Sequence, residues 1–287
     1  MRTTRWPDLL ACGSAFELPG LCAVCRGWGG KRVCAACVRR HAPALARCRR
    51  CALEVAAGVT VCGACIAEPP PYRSTLAAVN YDSPWDRLIA AFKFHSALDL
   101  APAFADLLVQ THGRSESPST APSTSPSTST SPTLMLPVPL SAERLCERGY
   151  NQAWELARRT ARALHCSADP ALLLRVRDTP HQLAFPPDRR AANVRGAFMV
   201  EPRRSTELRG RDVTVVDDVM TTGATGAEIA RVLLDAGAAN VDLWVVARTP
   251  RPAAQESAKR SAPSRNADGA WQPPAQRIQR SRCSTSS

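Results

Sequence analysis

Residues 213–225 read VTVVDDVMTTGAT, and GAEIARVLLDAG follows at 226–237. The run Val213–Val216 has the composition of a buried strand. It ends in two adjacent acids, Asp217 and Asp218. Ile229, Val232 and Leu233 then fall on one face of a helix, with Gly237 as a C-terminal stop. In a parallel sheet, ligands sit beyond the carboxyl ends of the strands. The intervening loop offers backbone N–H groups and the hydroxyls of Thr221, Thr222 and Thr225 at a helix start. Unpaired donors and a partial positive charge there suit a phosphate. Gly223, beside Ala224, permits a tight turn and close backbone approach. The aspartates suit a different role, since carboxylates accept hydrogen bonds from the vicinal hydroxyls of a ribose and help to hold magnesium. An Asp at a strand end often only caps the next helix, and Thr/Gly loops are common. The ordered combination is more specific, and it matches the two ends of one ribose 5-phosphate.

Working outward, VDLWVVA (241–247) reads as the next strand and LMLPVPL (134–140) as an earlier one. LAAVNYD (76–82) reads as a strand, and WDRLIAAFKF (85–94) as a helix with Trp85, Leu88, Ile89 and Phe92 inward. From Gln152 to Leu164, Ala153, Leu156, Ala157, Thr160 and Leu164 share a helix face. Strand–helix–strand order at this spacing implies parallel pairing with right-handed crossovers. The predicted class is α/β, a mostly parallel twisted sheet with flanking helices. Seventeen of the nineteen residues at 115–133 are Ser, Thr or Pro, which predicts a disordered insertion. Residues 250–287 read as a disordered basic tail, and 1–21 as an N-terminal extension.

Two further loops bear on anion binding. After the 134–140 strand come Arg144 and Arg148, then Gly149-Tyr150-Asn151-Gln152. Guanidinium groups suit bidentate phosphate contacts, although a solvated helix surface would look alike. The stretch 175–198 is arginine-rich, and Gln182, Arg190 and Asn193 are its candidate contacts. A basic surface hairpin is the bland reading of it.

Residues 22–65 hold four Cys-x-x-Cys pairs, Cys22/Cys25, Cys34/Cys37, Cys48/Cys51 and Cys62/Cys65. Each pair makes a knuckle presenting two thiolates, and two knuckles complete a tetrahedral site. Eight ligands give two structural zinc ions. Sequential pairing makes a double zinc ribbon over 22–70, and a crossed pairing stays open. Cys-x-x-Cys also serves as a redox dithiol, but four regular copies favour metal. A module this small needs zinc to fold.

The formal net charge is +12, and eight thiolates around two zinc ions reduce it to +8. Residues 1–70 carry ten Lys/Arg against four Asp/Glu. A basic balance favours phosphate-bearing partners. No run of about 18 apolar residues occurs, and no long apolar region precedes Glu17, so the sequence predicts a cytoplasmic protein without a membrane span.

The order of these motifs resembles the ComF family: a cysteine-rich N-terminus, YDSPWDRLIAAFKF (81–94), LPVPLSAERLCERGYNQ (136–152), Arg177–Phe198 and VVDDVMTTGAT (215–225). The resemblance runs from about Cys22 to Thr249. KFHS at 93–96 departs from the glycine-containing pattern of that family. The resemblance implies the type I phosphoribosyltransferase fold over 71–114 and 134–249, preceded by the zinc ribbon. It implies binding of phosphoribosyl pyrophosphate with magnesium, Arg144 and Arg148 on the pyrophosphate, and a mobile loop carrying Gln182, Arg190 and Asn193. It also implies a link to DNA uptake and natural transformation. Two readings stay open: phosphoribosyl transfer to a nitrogen acceptor, with Asp217 and Asp218 on the ribose, or a non-catalytic factor binding single-stranded DNA or competence proteins.

Overall fold

The computed structural model describes residues 20–116, 134–177 and 194–250. A two-residue hairpin, β1 (Gly20–Leu21) and β2 (Trp28–Gly29), opens the cysteine-rich part. Two short helices follow, α1 (Ala35–His41) and α2 (Gly63–Ala67), each starting directly after a cysteine. Then come β3 (Ser74–Asn80), α3 (Trp85–Phe94), a 3-10 turn at Leu98–Leu100 and α4 (Ala101–Glu116). Ser115 and Glu116, which composition groups with the Ser/Thr/Pro insertion, thus end a helix. Beyond the insertion lie β4 (Leu134–Pro137), α5 (Ala142–Arg148), α6 (Gln152–Ala163) and β5 (Ser167–Ala168). The chain continues with β6 (Leu173–Arg175), β7 (Phe198–Val200), a 3-10 turn at Pro202–Leu208, β8 (Asp212–Met220), α7 (Ala224–Asp235) and β9 (Asn240–Arg248).

The main sheet has the order β3-β9-β8-β4-β5, and every pairing is parallel. All its carboxyl ends therefore open on one rim, with β8 at the centre. One face is covered by α3, α4 and α6. Trp85, Ile89, Phe92, Phe104 and Leu156 are fully buried there with Val216 and Val246 of the sheet. Burying each such side chain stabilises the fold by about 1.5–3 kcal/mol. The other face is covered by α7, whose Ile229, Ala230 and Leu233 meet Val213, Val215 and Leu243. Two of the helix starts near the rim are fixed by side chains. Asn151 Oδ1 accepts from Ala153 N at 2.9 Å and Trp154 N at 3.4 Å to start α6, and Ser141 Oγ accepts from Arg144 N to start α5.

Gly226 sets how closely α7 lies on the sheet. A Cβ there would stand 2.3 Å from Leu243 Cδ1. The separate β6–β7 ribbon is antiparallel and brings Val176 N within 2.9 Å of Ala197 O. Gly196 N donates to Glu228 Oε1 at 2.7 Å, which moors this ribbon to the first half of α7. Gln182, Arg190 and Asn193 lie outside the described residues. Among the described residues no helix is long and apolar enough to cross a membrane.

Candidate functional site

The acid pair lies inside the last residues of β8, because the strand runs on to Met220 rather than ending before Asp217. Alternation along a strand then sends the two carboxylates to opposite faces. Asp217 lines a small cleft with Thr221, Thr222, Gly223, Ala224 and Thr225 on the α7 side. Asp218 is 7% exposed and meets Lys93 Nζ of α3 at 2.9 Å on the other side. Burial pushes the Asp217 carboxyl up to about 7, and the Asp218 charge adds to this while Lys93 opposes it. For Lys93, burial disfavours the ammonium. Asp218 and Asp217 outweigh it and raise the group above its ordinary value.

Gly223 stands at the helix start with φ +86°, in the left-handed region. A side chain there would be strained, and its Cβ would meet Met220 Cε at 2.5 Å and the Tyr72 hydroxyl at 3.1 Å. Thr221 and Thr222 are exposed, Thr225 is half-buried, and Thr222 Oγ1 accepts from Ala224 N at 3.3 Å. The turn therefore presents backbone N–H groups of α7 and threonine hydroxyls to one small space, an arrangement able to hold a phosphate.

The second loop also reaches the rim. Arg148 donates to Gln152 Oε1 at 3.0 Å and lies 5.0 Å from the ring centroid of Phe94, which is 63% exposed. Gln152 Nε2 reaches Lys93 O at 3.4 Å, and the Tyr150 hydroxyl donates to Phe92 O. Arg148 is thus tied to the end of α3 that carries Lys93. Arg144 sits one turn earlier on α5, with its backbone N–H engaged in the cap. Lys93, Phe94 and Arg248 are not among the contacts that the sequence motifs predict. A signal for Lys93 exists in WDRLIAAFKF, where it is the cation that directly follows the buried Phe92 toward the rim.

The eight cysteines form two clusters in sequential pairing, Cys22/Cys25/Cys34/Cys37 and Cys48/Cys51/Cys62/Cys65, the sulfurs of each within 4.8 Å of one another. The nearest sulfur pairs, Cys22–Cys37, Cys25–Cys34 and Cys51–Cys62, are 3.9, 3.8 and 3.7 Å apart. A tetrahedron of Zn–S bonds of about 2.3 Å has edges of about 3.8 Å, so these residues fit zinc. Cys34 N and Cys62 N donate to Cys22 Sγ and Cys48 Sγ at 3.4 and 3.3 Å. Burial raises the Cys22 and Cys48 thiols, and such backbone donors more than offset it, holding both down at about 6. Burial and neighbouring thiols push Cys37 and Cys65 up. A dication lets all four sulfurs ionise together.

The parallel sheet with β8 at its centre, the acid pair and the threonine loop at α7 define a protein of the type I phosphoribosyltransferase fold carrying two four-cysteine clusters. The chain belongs to the ComF family. It is 34% identical over 240 residues to DNA utilization protein YhgH of Salmonella typhimurium, covering 82% of this chain and 99% of that protein. Its Escherichia coli K12 counterpart is 33% identical over 242 residues, with the same shares. Competence protein F of Haemophilus influenzae is 28% identical over 230 residues, 79% of this chain and 96% of that protein. No family model matches the chain. Among solved structures, the chain is similar to adenine phosphoribosyltransferase of Leishmania donovani at 17% identity and TM-score 0.35, over 68% of this chain and 79% of that one. It is similar to glutamine phosphoribosylpyrophosphate amidotransferase of B. subtilis at 18% and 0.33, over 54% and 30%. Overlaps this loose add nothing to the assignment, which rests on the sheet order and the relatives.

Proposed function

We propose that the chain holds phosphoribosyl pyrophosphate, or a related phosphoribosyl ligand, at the carboxyl end of β8, in a role linked to DNA use or uptake. The observation that carries this reading is the turn at Thr221–Thr225, with Gly223 in the left-handed region and Asp217 facing the same cleft. The 5-phosphate would take the N–H groups and hydroxyls of Thr222–Thr225. Asp217 would accept from the ribose hydroxyls, and Asp218 would join it through the Lys93 pair. Arg148, with Arg144 behind it, would face the pyrophosphate. The carboxylate oxygens of the acid pair are the hard donors that magnesium favours. Bound with the ligand, the ion would screen its negative charge.

Transfer would need little from side chains. A nitrogen lone pair forms a bond to ribose C1, the C1–O bond breaks, pyrophosphate leaves with that electron pair, and the acceptor nitrogen sheds a proton to solvent. Positioning and charge stabilisation then do most of the catalysis. Calorimetric titration with phosphoribosyl pyrophosphate and magnesium tests the pocket. Wild type should bind one ligand per chain, and Asp217→Ala combined with Asp218→Ala should weaken binding at least tenfold. Unchanged affinity would sink the reading. Pyrophosphate release with candidate nitrogen bases then separates an enzyme from a binding protein.

A second reading is favoured by Trp28, which is 79% exposed on β2 between the first two knuckles, in a stretch of sequence that also carries Arg26, Lys31 and Arg32. An exposed indole in a basic segment suits stacking with a base of single-stranded DNA. Binding that falls steeply with salt, and that Trp28→Ala weakens, would support it.

A further inference from the structure

Arg248 is the last residue of β9 and is 4% exposed. Its guanidinium joins two parts of the molecule that are far apart in sequence. Nε donates to Cys51 O at 2.8 Å, a carbonyl inside the knuckle of the second cysteine cluster. Nη1 donates to Met220 O at 3.0 Å, to Thr221 O and to Thr249 O at 2.9 Å. Met220 ends β8, and Thr221 begins the loop that turns into α7. Thr249 N also donates to Met220 O at 3.0 Å.

The same knuckle is bonded to the sheet at each step. Arg49 O accepts from Thr75 N at 2.9 Å, Arg50 O from Thr75 Oγ1 at 2.6 Å, and Cys51 O from Arg248. Arg50 Nη1 returns a bond to Tyr72 O at 3.2 Å. Tyr72 is itself buried, with its hydroxyl against Gly223. The Cys51 carbonyl thus ends on Arg248, which supports the loop, and the two carbonyls before it hold the knuckle to Thr75 of β3. The first cluster is anchored elsewhere. Lys31 pairs with Asp106 at 2.9 Å, Arg32 with Asp99 at 2.5 Å, and His41 O accepts from Trp85 Nε1 at 2.7 Å, all on α3, α4 or the turn between them.

The geometry points to the second four-cysteine cluster as the support of the threonine loop, with Arg248 as the positioning residue between them and the first cluster serving α3 and α4. The physical reason is that a buried guanidinium is stable only while its donors are satisfied. If residues 48–51 loosen when their metal is lost, Arg248 loses the Cys51 carbonyl. The guanidinium then shifts or draws in water, and the carbonyls of Met220 and Thr221 lose a fixed partner. The two metal sites are therefore unequal: the second sets the shape of the loop, and the first does not. The consequence for ligand binding rests on the reading of this loop as the phosphate cradle.

Hydrogen exchange of the full, zinc-loaded chain, read over 217–226, tests the coupling without any ligand. Removing the second site with Cys48→Ser plus Cys51→Ser should speed exchange of the loop at least tenfold while α6 stays protected. Removing the first with Cys22→Ser plus Cys25→Ser should change the loop by less than twofold. Arg248→Met should reproduce the second-site effect with two zinc ions still bound per chain. Should Arg248→Met fail to fold, Arg248→Lys keeps the charge and gives up the planar fork, and the same comparison applies. Equal loosening by both pairs of substitutions, an unmoved loop after loss of the second site, or an unmoved loop in the zinc-replete Arg248 variant would overturn the inference. Titration of wild type with ribose 5-phosphate is read separately. A failure to bind would overturn the cradle reading and leave the exchange result to decide the coupling.

Discussion

Asp217 and Asp218 are neighbours in the chain but occupy different surroundings, and the difference is measurable. Burial, with the Asp218 charge beside it, pushes the Asp217 carboxyl up from 3.8 to about 7 in the folded state. A group raised in this direction adds stability that is present below the unfolded value and is lost as pH rises from about 4 to about 7. Asp217→Asn should leave the unfolding free energy nearly unchanged at pH 4 and raise it at pH 8, by about 1–3 kcal/mol. A three-unit displacement sets an upper bound near 4 kcal/mol, and the half-buried position reduces it. A variant less stable than wild type at pH 8 would contradict the burial argument. Asp218 has the opposite problem: it is buried with a partner. Lys93→Met removes that partner and should cost about 2–4 kcal/mol in denaturant unfolding, since one partner of a buried pair is left uncompensated. Adding Asp218→Asn should recover more than half. Additive losses in the double variant would mean that the pair is not coupled.

At the scale of elements, α7 is held on the sheet by the absence of a side chain at Gly226. Gly226→Ala places a methyl against the buried Leu243 side chain, and overpacking of this kind costs about 1–3 kcal/mol. Thermal melting should show the loss, and Leu243→Val in the same chain should return part of it. A neutral Gly226→Ala would show that Leu243 has room to turn. The elements that periodicity described well are those with one dry face. Trp85, Leu88, Ile89 and Phe92 are the buried residues of α3, and Ala153, Leu156, Ala157 and Thr160 are buried on α6 as the spacing requires. Val232 and Leu164 are only half-buried, and Leu164 stands just past the last turn of α6. The end of β8 was less legible. Two adjacent acids look like a stop, yet hydrogen bonding to β9 carries the strand through them to Met220, because Asp218 finds Lys93 across the face. The hairpin of β1 and β2 is two residues a side and has no period to read; cysteine spacing alone marks it.

Over the whole molecule, what the sequence makes plain is chemistry that is local in the chain. The threonine loop and each knuckle are set by residues a few positions apart, whereas the sequential pairing of the knuckles, which the sequence left open, is settled by the fold. What it conceals is chemistry assembled from afar. Lys93 reaches Asp218 from the first helix of the sheet domain, and Arg248 joins residue 51 to residues 220 and 221. Nothing in VDLWVVAR distinguishes a buried arginine from a strand-end cation until β9 is known to lie between β3 and β8 with its end against the second knuckle. The relatives named for DNA utilization fix the family, and the proposed pocket names where a ligand is to be looked for. The most direct measurement is a crystal structure of the zinc-loaded chain soaked with ribose 5-phosphate. The account predicts the phosphate within hydrogen-bond distance of the backbone N–H groups of Thr222–Thr225, with the ribose hydroxyls on Asp217. A phosphate seated instead on the basic residues of the knuckles, with the threonine loop unchanged and empty, would contradict it.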